Sequence, residues 1–467
     1  MPIASVNPAT GETLETFEAL DGAAIELRLA RAEAAYREYR TTGFDHRAEL
    51  VRRAADLLDD GREPIARMMT EEMGKPLTAA RAEAAKCATA LRWYAERAPG
   101  LLADEIPDRA DVTDSGAVDA YVRYRPLGAV LAVMPWNFPF WQVIRFAAPA
   151  LMAGNVCLLK HASNVPRTAL ALEELFRQAG FPQGCFQTLL IGSGAVEGVI
   201  RDRRVAAVTL TGSEPAGRSV AATAADEVKK AVLELGGSDP FVVLPSADVP
   251  AAVRAAVRAR VQNNGQSCIA AKRFIVHGEV YEQFATAFTE AMRALRVGDP
   301  MDERTDVGPL ASEQGRTDLE ELVEDARAHG ARVECGGRRP VGLDGGWFYE
   351  PTVVSGVTPA MRIHLEETFG PVATLYRVED LEEALAAAND TPFGLSSNVW
   401  TTDGAEQQRF VRDIEAGGVF FNGMTASHPA LPFGGVKRSG FGRELSGHGI
   451  REFCNITTVW LGPPQQG

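Results

Sequence analysis

Residues 129–139 read A-V-L-A-V-M-P-W-N-F-P, a short apolar run followed by a turn that holds one polar amide. An apolar run of this length bounded by proline is typical of a buried strand. Similar runs recur at 156–160, 186–191, 205–210 and 231–235, mostly separated by helical patterns. This alternation predicts an α/β fold with a doubly wound parallel sheet of the Rossmann type.

A polar or glycine-rich group follows each of these runs. The groups are P-W-N-F-P at 135–139, Lys160, Gly192-Ser193-Gly194, Thr211-Gly212-Ser213 and Glu234-Leu235-Gly236-Gly237. Because the carboxyl ends of parallel strands share one edge of the sheet, we expect these groups to meet at a ligand site. Taken singly, the glycine groups are equally consistent with plain turns, and the T-G-S group with a simple helix cap or a phosphate site.

A second stretch, V-Q-N-N-G-Q-S-C-I-A-A at 261–271, places Cys268 between a helical pattern at 249–262 and a strand-like run at 274–276. A lone cysteine is more often a small buried side chain than a catalyst. At such a junction, however, a thiol can be partly exposed near backbone N–H groups, which lowers its pKa. Cys268 is therefore a candidate nucleophile whose partners must be found.

Composition excludes several classes of function. The chain has 467 residues and a net charge of −14, from 48 basic and 62 acidic side chains with no basic cluster, which argues against nucleic-acid or anionic-membrane partners. No apolar run is long enough to span a membrane, and the N-terminus lacks the features of a signal peptide. Six dispersed cysteines without a C-x-x-C pair fit neither a metal site nor a disulfide framework. We expect a cytoplasmic protein without a metal.

Peripheral segments carry no predicted chemistry. A hairpin is expected at 3–18, followed by helices at 23–39, 45–60, 63–73 and 77–98. The run V-D-A-Y-V-R-Y-R at 118–125 alternates apolar and polar residues, as half-exposed strands do. Its edge is consistent with pairing to another subunit or with an ordinary surface ribbon. A strand-like tail follows at 456–461.

Five motifs occur in order along the chain. They are P-W-N-F-P at 135–139, E-L-G-G at 234–237, G-Q-S-C at 265–268, E-E-T-F-G-P at 366–371 and P-F-G-G-V-K-R-S-G at 432–440. On these motifs the whole chain resembles the aldehyde dehydrogenase superfamily, and within it the shorter bacterial succinate-semialdehyde dehydrogenases. The resemblance implies a dinucleotide-binding domain at 1–113 and 127–235 and a catalytic domain at 236–445. It also implies an oligomerisation element at 114–126 and 446–467, in a homodimer or homotetramer.

The resemblance further implies roles for three catalytic residues. Cys268 would attack the aldehyde carbon as a thiolate, forming a thiohemiacetal. The side-chain amide of Asn137 and the backbone N–H of Cys268 would stabilise its oxyanion. After hydride transfer, Glu234 would act as the general base for hydrolysis of the thioester.

Cofactor contacts are implied in the same way. Lys160 and Glu367 match the residues that hold the adenosine and nicotinamide riboses. Other matching contacts are Trp136, Gly212, Ser213 and Phe369. Ser163 occupies a position where NAD-preferring relatives often have a glutamate that repels a 2′-phosphate, so we expect NADP as the preferred cofactor, with NAD also accepted.

For the substrate, Arg145 and Ser427 match residues that grip the carboxylate of succinate semialdehyde. The chain departs from many relatives at Gln262, where a second arginine is common, so carboxylate binding or substrate preference is expected to be less strict. It also lacks a second cysteine after Cys268, so no disulfide switch is expected. Glutarate semialdehyde is an alternative substrate. Two other classes of function are disfavoured. A cofactor-free cysteine esterase would leave Lys160 and Glu367 without a role. A non-catalytic binding protein would leave Cys268, Glu234 and Asn137 without a role.

Overall fold

Two central sheets carry the fold in the computed structural model, which describes residues 3–463. The six-stranded first sheet has the order Gly440–Phe441, Lys230–Glu234, Val205–Thr211, Ala129–Met134, Val156–His161 and Phe186–Thr188. Its last five strands are all parallel, which confirms the α/β alternation predicted from the sequence. The strand predicted at 186–191 is shorter and ends at Thr188.

One edge strand of the first sheet comes from far along the chain. Gly440–Phe441 pairs antiparallel with Lys230–Glu234 and puts Gly440 opposite Glu234. The glycine-dense motif at 432–440 therefore closes over the end of this strand, although the sequence groups it with the second α/β unit. The domain boundaries stay a prediction.

Helices cover the first sheet. They are Gly22–Tyr39, Phe44–Asp60, Arg62–Met73, Leu77–Leu101, Trp141–Ala153, Pro166–Gln178, Val196–Arg201 and Glu214–Asp226. Every residue of Trp141–Ala153 is buried, because this helix packs against Leu77–Leu101 and the strand Val156–His161. Side chains from the start of that helix therefore enter the interior of the molecule. At the N-terminus, the expected hairpin is formed by Ile3–Val6 and Thr13–Phe17.

The second sheet has seven strands, in the order Arg332–Cys335, Thr352–Ser355, Val372–Val378, Ala271–His277, Asp239–Val243, Ser397–Trp400 and Val419–Phe421. All neighbours are parallel except the antiparallel edge strand Arg332–Cys335. The accompanying helices are Val249–Val261, Gly278–Arg293, Glu313–Ala328, Arg362–Leu365, Leu381–Asn389 and Gly404–Asp413. Phenylalanines at 241, 274, 284 and 288 pack ring against ring and form much of its core.

A separate two-stranded ribbon joins distant parts of the chain. Asp119–Pro126 pairs antiparallel along its whole length with Cys454–Leu461, which follows the helix Ser446–Glu452. Three apolar side chains on the C-terminal strand are exposed, namely Ile456, Trp460 and Leu461. Residues 1–2 and 464–467 of the predicted outer domain ranges lie outside the described residues. Within residues 3–463, no helix is long and apolar enough to cross a membrane.

Candidate functional site

A cavity of about 280 Å³ opens at the carboxyl edge of the first sheet, next to the cysteine loop. Its lining residues are Pro135, Trp136, Asn137, Gln142, Thr211, Gly212, Ser213, Leu235, Gly236, Cys268, Glu367 and Phe369. Groups after three of the predicted strands therefore meet here with the cysteine, as expected for a parallel sheet. The glycines at 192 and 194 do not line this cavity.

The loop that presents Cys268 begins with an abrupt end to the helix Val249–Val261. Asn263, Asn264 and Gly265 have positive φ angles of 54°, 58° and 74°. Asparagine tolerates this left-handed region better than most residues, and glycine enters it freely. The N-N-G sequence thus turns the chain sharply enough to bring the thiol back toward the first sheet.

Gly265 has a second constraint besides its backbone angle. A Cβ placed on it would lie 2.3 Å from the carbonyl carbon and oxygen of Gly370, which no side chain can accommodate without movement. The cysteine loop and the E-E-T-F-G-P segment therefore pack backbone against backbone. This contact places Glu367 and Phe369 in the wall of the cavity that also holds Cys268.

Lys272, which the sequence did not single out, ties the cysteine loop together. Its ammonium donates hydrogen bonds to the carbonyls of Ser267 at 2.9 Å and Cys268 at 2.7 Å. The same ammonium pairs with a carboxylate oxygen of Glu367 at 2.9 Å. Buried charges require such partners. Lys272 therefore fixes the backbone at the nucleophile and the side chain of Glu367 together.

The electrostatic environment of Cys268 differs from the one expected from the sequence. Burial of the thiol raises its pKa to about 12, while the nearby charges of Arg145 and Lys272 act in the opposite direction. The expectation of a lowered pKa is therefore wrong. Desolvation outweighs the cations in this pKa, although the side chain of Cys268 is partly exposed, as the sequence predicted.

Asn137 lies beside the cysteine loop with its amide held in place. Its Nδ2 donates to the carbonyl of Gln266 at 3.0 Å, and Asn263 Nδ2 donates to the backbone carbonyl of Asn137 at 2.7 Å. An amide nitrogen carries two N–H groups, so one donor of Asn137 remains for a ligand. Its position on the cavity wall suits the predicted oxyanion contact.

Glu234 is buried and is not among the residues that line the cavity. Burial raises the pKa of Glu234 well above its usual range, and the neighbouring carboxylate of Glu444 adds to this effect. Among the described residues, neither carboxylate oxygen of Glu234 has a hydrogen-bond partner. Gly434 packs closely over it, because a Cβ on that glycine would lie 2.6 Å from Glu234 Oε1. Glu234 is therefore an enclosed carboxyl group, and its burial favours the neutral form over the charged one.

The opposite side of the cavity has features suited to a dinucleotide. The helix Glu214–Asp226 begins beside it, and the side chain of Ser213 makes no capping hydrogen bond, so N–H groups at this helix end remain available to a phosphate. Trp136 and Phe369 pack edge to face, with ring centroids 5.7 Å apart. These residues and Glu367 line the cavity, whereas Lys160 and Ser163 lie outside its lining.

Lys160 stands at the carboxyl end of the strand Val156–His161 and is largely buried. Burial lowers its pKa. Across residues 3–463 its ammonium has no ion-pair or hydrogen-bond partner. A buried cation without a partner is costly unless a ligand supplies one. The residues present therefore fit a phosphorylated, ribose-containing cofactor.

Ser163, three residues further, is half-buried, and its carbonyl accepts a hydrogen bond from the backbone N–H of Ala4 at 3.0 Å.

On the substrate side, Arg145 has a partner that sequence reasoning missed. Its guanidinium forms an ion pair with the buried carboxylate of Glu444 and lies 4.5 Å from the ring centroid of Phe433. Phe433 and Ser427 line a second cavity of about 400 Å³. Ser427 does not contact Arg145; its hydroxyl accepts a hydrogen bond from Lys86 at 2.6 Å. Gln262 is partly buried, and its Nε2 has no hydrogen-bond partner in the described part of the chain.

A family model described as "Aldehyde dehydrogenase family" matches residues 1–459. The chain belongs to the aldehyde dehydrogenase family. Among its relatives, "Succinate-semialdehyde dehydrogenase [NADP(+)]" of Mycobacterium avium is 61% identical, with 100% of this chain and 98% of that protein covered. "Succinate-semialdehyde dehydrogenase [NADP(+)] 1" of Mycobacterium tuberculosis is also 61% identical, over 99% of this chain and 100% of that protein. The resemblance inferred from the five motifs is confirmed.

Solved aldehyde dehydrogenase structures have the same fold. Succinic semialdehyde dehydrogenase from Streptococcus pyogenes, solved in complex with NADP⁺, superposes with a TM-score of 0.95 at 37% identity. The match covers 98% of this chain and 100% of that chain. Succinate-semialdehyde dehydrogenase from Burkholderia pseudomallei gives a TM-score of 0.94 at 36% identity, over 99% of this chain and 95% of that chain. These matches confirm the predicted aldehyde dehydrogenase fold.

Proposed function

We propose that this aldehyde dehydrogenase oxidises succinate semialdehyde to succinate and uses NADP as the hydride acceptor. The observation that carries the proposal is the cavity that brings Cys268, Asn137 and Glu367 together at the carboxyl edge of the first sheet. The names of the full-length relatives at 61% identity support the choice of substrate and cofactor.

The reaction at Cys268 follows from its surroundings. The thiolate adds to the aldehyde carbon and forms a thiohemiacetal, whose oxyanion accepts hydrogen bonds from the free N–H of Asn137 and the backbone N–H of Cys268. A nicotinamide cofactor held beside Glu367 and Ser213 would supply the hydride acceptor, and loss of hydride from the thiohemiacetal carbon would leave a thioester on Cys268. Because burial raises the pKa of the free thiol, formation of the thiolate requires a proton acceptor.

Hydrolysis of the thioester requires a base and a water. Glu234 is the candidate base, and its raised pKa makes it a strong proton acceptor once it is ionised. It removes a proton from the water that attacks the thioester carbon, and succinate leaves with regeneration of the Cys268 thiol. The net change consumes aldehyde, NADP⁺ and water, and produces succinate, NADPH and protons.

The test is an absorbance assay for the reduced nicotinamide. Purified protein is given succinate semialdehyde, glutarate semialdehyde or butanal, each with NADP and with NAD. We expect the highest kcat/KM for succinate semialdehyde with NADP. Equal rates with butanal would contradict the choice of an acidic substrate, and equal or higher rates with NAD would contradict the cofactor preference. Cys268→Ala is the control and must abolish turnover with every pair.

A further inference from the structure

Lys86 projects from the helix Leu77–Leu101, a segment to which the sequence assigns no chemistry. Its ammonium donates to Ser427 Oγ at 2.6 Å and lies 4.1 Å from the ring centroid of Trp141. Among residues 3–463, no carboxylate lies within ion-pair distance of this ammonium. Lys86 is therefore a largely enclosed cation that has only a neutral hydroxyl and an aromatic face as partners.

Arg145, the cation expected from the sequence to bind the substrate, is in a different state. Its charge is balanced by Glu444, and both side chains are buried. An arginine engaged in a buried ion pair has less to gain from a second carboxylate than an unpaired lysine does. Of these two cations beside Cys268, Lys86 is the one whose charge is uncompensated.

The position of Lys86 suits the far end of a short acidic aldehyde. Its hydrogen-bond partner Ser427 lines the second cavity together with Phe433, whose ring lies against Arg145. Lys86 is also close enough to Cys268 for the two groups to interact electrostatically. Trp141, whose ring packs against the Lys86 ammonium, is followed in the chain by Gln142, which lines the first cavity with Cys268.

Resting on the proposed function, we propose that Lys86, with the hydroxyl of Ser427, binds the carboxylate of the substrate and sets the preference for acidic aldehydes. Lysine donates as a compact charge, and a charge-assisted hydrogen bond is roughly twice as strong as a neutral one.

The experiment measures kcat/KM for succinate semialdehyde and for butanal in Lys86→Met and Lys86→Arg. Methionine keeps the length of the side chain and removes the charge. We expect the ratio of the two kcat/KM values to fall roughly 10- to 100-fold in Lys86→Met, the range expected for a lost hydrogen bond to a charged group. The loss should lie in KM for succinate semialdehyde, and Lys86→Arg should recover part of the ratio.

Lys229→Met is the matched control. Lys229 is also partly buried, but it donates to the carbonyls of Ile200 and Asp202, away from the cavities. Its substitution should leave the ratio unchanged. Equal losses with both aldehydes in Lys86→Met would overturn the proposal and make Lys86 a structural support for Ser427. If the wild-type protein shows no preference for succinate semialdehyde over butanal, the proposed function itself is contradicted, independently of the variants.

The pH dependence provides a second readout. Burial lowers the pKa of Lys86 to about 8, and the charge of Arg145 from the facing helix acts in the same direction. The other charged or titratable groups near it are Glu83 and Cys87 on its own helix and Cys268 on the cysteine loop. Carboxylate binding needs the protonated lysine, so the succinate semialdehyde to butanal ratio should fall as pH rises through about 8. Ionisation of Cys268 affects both substrates and cancels in the ratio. A ratio that stays flat between pH 7 and 10 would contradict the role of Lys86.

Discussion

The ammonium of Lys272 lies 2.9 Å from a carboxylate oxygen of Glu367 and donates at 2.7 Å to the carbonyl of Cys268. One buried cation therefore connects the nucleophile loop to the residue expected to hold the nicotinamide ribose. Its charge also lowers the pKa of the Cys268 thiol against the larger effect of burial. Lys272 thus influences both the position and the ionisation of the reacting group.

Replacing Lys272 by methionine should lower kcat/KM by roughly 10- to 100-fold, because charge-assisted hydrogen bonds to the loop are lost. Alkylation of Cys268 by iodoacetamide should also slow, since the thiol loses a nearby cation. Lys272→Arg keeps the charge and should retain a larger part of the alkylation rate. Unchanged alkylation in Lys272→Met would show that this charge has no influence on the thiol.

The raised pKa of Cys268 predicts a steep pH dependence of its alkylation in the protein without cofactor. Because only the thiolate reacts, the rate should increase about tenfold for each pH unit well below the pKa. The rate is measured by mass spectrometry of the peptide that contains Cys268. The other five cysteines are buried and serve as internal controls. A plateau near pH 8 would contradict this prediction, since it would mean that the thiol is already ionised.

Glu234→Gln should separate the two halves of the reaction. Loss of a general base typically costs about 10²- to 10⁴-fold, so steady-state turnover should fall in this range. A first burst of NADPH, equal to the number of active sites, should remain because the thioester still forms. Stopped-flow absorbance measures both phases.

In the wild-type protein, turnover limited by thioester hydrolysis should rise with pH, because burial raises the pKa of Glu234 and only its ionised form can accept a proton from water. This rise should be absent in Glu234→Gln. Loss of the burst as well as of turnover would assign Glu234 to the first half of the reaction instead.

Ser163→Glu tests the cofactor preference. A carboxylate at this position should repel a 2′-phosphate and lower the NADP/NAD ratio of kcat/KM by about tenfold or more. Ser163→Ala is the matched control, since it removes the hydroxyl without adding a charge. An unchanged ratio in Ser163→Glu would remove this residue from the explanation of cofactor choice.

Exposed apolar side chains on the C-terminal strand predict a contact with a second copy of the chain. Ile456 is 65% exposed and Trp460 is 50% exposed, both on the ribbon that pairs with Asp119–Pro126. Exposed apolar clusters often mark protein interfaces. The double variant Ile456→Lys, Trp460→Glu should lower the mass measured by light scattering after gel filtration. A variant at Val411, which is exposed on a helix remote from the ribbon, should not change it. A monomeric wild-type protein would contradict the predicted oligomer.

The sequence predicted the order of the strands and helices in the first sheet, because apolar runs and their proline or glycine boundaries are local signals. It also predicted that loops after several of these strands line one cavity with Cys268. Short strands such as Arg332–Cys335 and Val419–Phe421 were missed, since three or four residues give too little periodicity. The raised pKa of Cys268 could not be predicted from the local sequence, because the burial of its thiol depends on distant segments.

Lys86 and Glu444 show that side-chain contacts between distant segments could not be predicted from the local sequence either. Lys86 lies in an alanine-rich helix that has no motif, and its contact with Ser427 spans 341 positions in the chain. Glu444 lies outside the five motifs, yet it is the partner of Arg145. The signal for Lys272 was present in the sequence, because it follows the cysteine by four residues, but its partner Glu367 was not predictable from spacing.

The absence of a side chain at Gly265 has a consequence for how this enzyme can change. The backbone of Gly370 occupies the space that a methyl group would need, so the nucleophile loop and the wall bearing Glu367 are in direct backbone contact. Neither evolution nor engineering can move the wall that bears Glu367 outward without displacing the loop that carries Cys268. Variation in substrate size must therefore be sought in the segments around Ser427 and Lys86, which can be altered without moving the thiol.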